Sequence, residues 1–209
     1  MGKILLLILL SIISLKLFAQ QRIIAECTIN YSISAVDSSD NETMKHALKA
    51  STKNVYIKGN ESRTDLISAA YSQSVIYDKT SGNATILREF GNSKFMTRLD
   101  SEKWVKENKQ FDGLTVENTT EHLSILGYDC IKALLHLKDG STASIYFTKA
   151  IIPSVKEFEY QFKDINGLVL SYEAIGTKGE KVKYTATKVN LSPVPSNIFA
   201  IPTSGYRIL

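Results

Sequence analysis

Turn chemistry recurs along this chain at intervals that leave room for little but strands. Gly59-Asn60, residues 79–83 (Lys-Thr-Ser-Gly-Asn), Gly91-Asn92, residues 138–141 (Lys-Asp-Gly-Ser) and residues 176–180 (Gly-Thr-Lys-Gly-Glu) each separate two segments rich in β-branched and aromatic residues. Glycine supplies the positive φ that tight hairpin turns require, and asparagine tolerates it. The segments so joined are 54–58 with 62–67, 74–78 with 84–90 and then 94–99, 128–137 with 142–148, and 167–175 with 181–191. Residues 23–36 read as a first strand and 116–126 as another, weakened by its Asn-Thr-Thr centre. In 155–163, Phe158, Tyr160 and Phe162 fall on one face and Glu157, Glu159, Gln161 and Lys163 on the other. That period of two predicts a strand.

Helical signals are few. Residues 41–50 place Met44, Ala47 and Leu48 at i, i+3 and i+4. Residues 101–108 begin with Ser101 as the capping residue and Glu102 at the positive end of the helix dipole. About ten strands and two short helices predict a mainly β (α+β) chain. The expected form is a strongly curved antiparallel sheet or half-open barrel, with the two helices covering its concave face. No repeat and no Pro/Gly/Ser linker divides 21–209, which is expected to be a single domain.

The first twenty residues, MGKILLLILLSIISLKLFAQ, are of another kind. One positive charge at Lys3 precedes an apolar run from Ile4 to Leu15, and Ala19 offers a small residue for cleavage. The run is too short to span about 30 Å of hydrocarbon, so 1–20 reads as a cleaved secretory signal rather than an anchor. Cys27 follows Glu26, where lipidation needs a small residue, so no lipid anchor is expected. The mature chain is expected in the periplasm or secreted. There Cys27 and Cys130 either form a disulfide or remain separate buried thiols; sequence leaves both open.

Several chemistries find no support. With 25 Lys+Arg against 21 Asp+Glu, the charge is too balanced for nucleic acid or an anionic membrane surface. There is no G-x-S-x-G elbow, no H-E-x-x-H pairing of the three histidines, and no glycine-rich phosphate loop. Isolated His46, His122 and His136 read as surface or core-edge residues. No catalytic residue, metal site or cofactor is expected.

What remains is apolar. Phe158, Tyr160 and Phe162, with Ile145, Phe147, Leu168, Leu170 and Tyr172 on neighbouring strands, make one wide hydrophobic face. Such a face either packs as core or, where a curved sheet is incompletely covered, lines an apolar ligand cavity.

The motifs also carry a resemblance. They run Tyr56-Ile57-Lys58-Gly59 with Arg63, Ile76-Tyr77-Asp78 with Gly82, residues 125–133 (Ile-Leu-Gly-Tyr-Asp-Cys-Ile-Lys-Ala), Asp139-Gly140-Ser141, Gly167-Leu168 with Leu170 and Tyr172-Glu173, and Phe199, Ile201-Pro202 with Gly205-Tyr206-Arg207. In this order they resemble an exported bacterial family of unknown function. That family is similar in fold to the periplasmic lipoprotein carrier and its outer-membrane receptor. The resemblance implies a half-open barrel with helices as a lid over a hydrophobic cavity; an activity does not follow from it, since none of the carriers' functional residues can be matched to this chain. The leading expectation is a binding protein holding a lipid or acylated ligand in that cavity, and the alternative is an envelope protein-interaction module.

Overall fold

The computed structural model describes residues 21–36, 42–175 and 181–209. The signal segment 1–20, Asn41 and the turn at 176–180 lie outside the described residues. In chain order the elements are β1 (Arg22–Ile24), β2 (Glu26–Ala35), α1 (Glu42–Lys49), β3 (Thr52–Lys58), β4 (Glu61–Ile67), β5 (Tyr71–Asp78), β6 (Asn83–Phe90), β7 (Ser93–Leu99) and α2 (Ser101–Glu107). They continue as β8 (Thr115–Ile125), β9 (Tyr128–His136), β10 (Thr142–Thr148), β11 (Ile151–Pro153), β12 (Leu168–Ile175), β13 (Lys181–Asn190) and β14 (Arg207–Ile208).

Twelve strands form one open, curved sheet in the order β14-β7-β6-β5-β4-β3-β2-β13-β12-β10-β9-β8. It consists of two antiparallel meanders, β2 to β7 and β8-β9-β10-β12-β13, joined where β13 pairs with β2. One free edge is the eleven-residue β8, bulged between Asn118 and His122 at the weak centre noted in the sequence. The other edge is the two-residue β14, parallel to β7. The predicted hairpins form with Gly59, Gly82, Gly91 and Gly140 at positive φ. The first predicted strand breaks at Ala25, which frees β1 to pair with β11 in a separate two-stranded sheet.

Three expectations change. Residues 155–163 are not a strand but two 3₁₀ turns, Lys156–Phe158 and Tyr160–Phe162. The side chains that bury are Val155, Phe158, Phe162 and Ile165. Their spacing is helical, and burial of all four outweighs the polar alternation between them. The cap of α2 is Asp100, whose carboxylate accepts from the Lys103 amide at 2.9 Å, and Ser101 is already helical. Nor do the helices supply most of the cover: α2 sets Trp104 against Val75, Tyr77 and Ile86 on the inner face but buries no residue of its own, and no described side chain of α1 is buried.

The cover is instead the segment from β11 to Ile165. With the inward side chains of β2, β3, β9, β10 and β12 it forms the main core, which includes Ile29, Val55, Leu135, Ile145 and Leu170. Phe162 meets Tyr172 edge-on at 5.0 Å, and the Thr64 hydroxyl donates to the Phe158 carbonyl at 3.0 Å. On the opposite face of β5 to β7, Ile76, Leu87 and Met96 are covered by Tyr206 of the C-terminal tail. Among the described residues, no helix is long and apolar enough to cross a membrane.

Candidate functional site

The cover stops short of β5 and β6, and there the inner face of the sheet becomes a groove. Because register partners share a face, its floor can be read across the strands. One row is Lys53, Leu66, Gln73 and Arg88 on β3 to β6; the next is Thr64, Val75 and Ile86 on β4 to β6. Trp104 of α2, Phe111 of the 3₁₀ turn Lys109–Phe111, and Phe158 to Tyr160 stand over this floor, enclosing about 440 Å³. That is within the range of roughly 300–1,000 Å³ common to small-molecule sites. Ala174 and Tyr184 close the far end.

Aromatic rings define the roof. Trp104 and Tyr160 are 6.3 Å apart and nearly perpendicular, and Phe111 lies 6.4 Å from Tyr160. Tyr77 lies 5.9 Å below Trp104, the sole tryptophan of the chain. Two solvent-excluded polar atoms, Trp104 Nε1 and Glu157 Oε2, have no hydrogen-bond partner among the described residues.

Charge sits at both ends of the polar row. Lys53 is only 7% exposed because strand parity puts it in phase with Val55 and Ile57, which face the core. Its ammonium donates to Glu159 Oε1 and to the Tyr172 hydroxyl, and lies over the ring of Tyr184 at 4.8 Å. Tyr184 stacks on Tyr172 at 4.7 Å. At the other end, Arg88 Nε donates to Gln73 Oε1 at 3.0 Å, and the Tyr71 hydroxyl donates to the same oxygen at 2.7 Å.

Burial, reinforced by the nearby Glu159 carboxylate, pushes the phenols of Tyr31 and Tyr172 well above the ordinary range and that of Tyr184 to about 12. An unfolded chain releases such protons near pH 10, whereas the folded chain keeps them. The folded state then binds more protons, so its stability is intact below about pH 10 and falls as pH rises toward 12. Phenolate absorbance should therefore show these three of the ten tyrosines ionising together with the loss of circular dichroism. Their free titration in a chain that keeps its structure would contradict this packing.

Of the residues expected to line an apolar cavity, Ile145, Phe147, Phe162, Leu168, Leu170 and Tyr172 are buried in the main core and do not line the groove. Phe158 is buried yet touches the groove, and Tyr160 turns away from Phe158 and Phe162 to join Trp104 and Phe111. The uncovered part of the inner face thus lies over β4 to β6 rather than over β10 and β12. Cys27 and Cys130 are buried free thiols, raised by burial to about 12 and about 11, which makes them poor nucleophiles. His122 pairs with Asp129 at 3.0 Å and His136 with Glu117 at 2.9 Å, both on exposed strands and outside the groove lining.

Sequence reading missed Lys53, Gln73, Arg88 and Trp104. The first three did leave a signal. Each is a polar residue in phase with apolar ones: Lys53 with Val55, Gln73 with Val75, and Arg88 with Ile86.

No protein-family model matches the chain, and no curated protein does. Among solved structures, PNGF-II is similar at 14% identity over 88% of this chain and 30% of that one, with a TM-score of 0.47. MucB in the Pseudomonas aeruginosa MucA/MucB complex is similar at 12% identity over 85% and 56%, with a TM-score of 0.46. A LolA superfamily protein from Nitrosomonas europaea is similar at 13% identity over 84% and 90%, with a TM-score of 0.32. The chain thus spans under a third of PNGF-II and little more than half of MucB.

Proposed function

We propose that the chain is an exported binding module, not an enzyme, that holds a small amphipathic ligand of acyl type in the groove over β4 to β6. The observation that carries this reading is the aromatic roof of Trp104, Phe111 and Tyr160 above the apolar floor of Val75 and Ile86. Each methylene enclosed there contributes about 0.8 kcal/mol. The signal-type N-terminus supports a periplasmic or secreted location, and the inert thiols and remote histidines support binding over catalysis.

Trp104 reports the site directly, being the only tryptophan. Decanol added below its solubility limit should change Trp104 emission saturably, and Tyr160→Ala should weaken that binding about three- to tenfold by removing one ring of the roof. A linear, unsaturable response would sink the groove as a ligand site.

A second reading, an envelope protein-interaction module, is favoured by one observation: among the described residues, β8 leaves one eleven-residue backbone edge unpaired. Such an edge accepts an added strand. An unresponsive Trp104 together with slowed amide exchange along Thr115–Ile125 at rising protein concentration would favour it.

A further inference from the structure

The groove has a direction, and Arg88 sets it. Of its two buried-row cations, Lys53 is already neutralised by Glu159. Arg88 is half-buried and has no carboxylate at ion-pair distance among the described residues; its one side-chain partner is the neutral Gln73 amide. Gln73, its register partner on β5, is itself fixed by the Tyr71 hydroxyl. A guanidinium pinned through Nε presents its two terminal nitrogens as a fork, the geometry that a carboxylate meets with two parallel hydrogen bonds. Glu107, exposed at the rim, is the other charge of the lining without an ion-pair partner among the described residues, and it lies on the helix side of the groove.

We propose that Arg88 binds the carboxylate head of the ligand, so that the groove takes an anionic amphiphile in preference to a neutral one. Lys53 and Arg88 stand three strands apart in one row, about 14 Å at the usual strand spacing. With the Lys53 end closed by its own ion pair, the head lies at β6 and the apolar body runs over Val75 and Ile86 toward Tyr160. This assignment rests on the groove being a ligand site, and it adds the class of head group.

The test compares decanoate with decanol, which differ only at the head, through Trp104 emission below micellar concentrations. Decanoate should bind at least about tenfold more tightly to the unaltered protein, the scale of a charge-assisted pair. Arg88→Gln should abolish that preference by weakening decanoate binding at least about tenfold more than decanol binding, with an unaltered melting profile showing that the variant folds. Arg88→Lys, which keeps the charge and loses the fork, should retain part of the preference. Equal binding of the two probes to the unaltered protein, or a preference that survives Arg88→Gln, overturns the role of Arg88 while leaving the groove as a site. If neither probe moves Trp104 emission, both the head-group assignment and the groove reading fall.

Discussion

Phe162→Ala should lower the unfolding free energy by about 3–5 kcal/mol, whereas Tyr160→Ala, two residues away, should cost less than about 1 kcal/mol. Phe162 is 1% exposed and packs against both Phe158 and Tyr172, so truncation leaves a cavity that rigid strands on two sides cannot fill. Tyr160 is half-exposed on the groove side, where solvent replaces the lost ring. Denaturant titration of the two variants measures the contrast. Had residues 155–163 formed the alternating strand, both rings would lie in one core face and the two losses would be comparable. Equal losses would therefore contradict the 3₁₀ geometry of the cover.

The ion pair under the cover should respond asymmetrically. Removing the anion by Glu159→Leu strands the Lys53 ammonium in the core, at a cost of about 3 kcal/mol. The Tyr172 hydroxyl and the ring of Tyr184 soften that loss without replacing a counter-charge. Lys53→Met should cost about 1 kcal/mol or less, because the Glu159 side chain is 25% exposed and can turn to water. The double variant should recover to near the unaltered stability, since apolar residues of similar volume often replace a buried pair without loss. Stability measurements on the two single variants and the double one close this cycle. Two equal single losses that simply add would show that the two groups do not interact.

How legible these features were in the sequence depends on how local their causes are. The hairpins could be read because glycine at a positive φ and the parity of the flanking residues are properties of adjacent positions. The break at Ala25 could not, since β1 leaves the main sheet for a partner, β11, far along the chain. At 155–165 two periods competed. The aromatic alternation was conspicuous within nine residues, while the helical spacing emerges only when Val155 and Ile165 are included. The groove was displaced for a related reason. An apolar stripe advertises itself, but the stripe is what the cover seals, and the open part of the face is marked by Lys53, Gln73 and Arg88 at positions where parity calls for apolar residues. Trp104 could not be placed at all by local reasoning, because it reaches Tyr160 only through the tertiary arrangement of α2 and the cover.

The junction between β2 and β13 governs the order in which this sheet can be assembled. Ser32 and Thr185, hydrogen-bonded across it, are 153 residues apart, whereas every pairing from β2 to β7 joins neighbours in sequence. A chain delivered N-terminus first can complete that meander early, with the other edge of β2 open and Ile29 and Tyr31 uncovered. The edge is capped only after nearly all the remaining strands have been made, so the topology leaves one side of that half-sheet open until then. Closure of distant segments is slow, and transient open strands invite aggregation. Until β13 arrives, the open edge of β2 is the strand at which pairing with another chain would start.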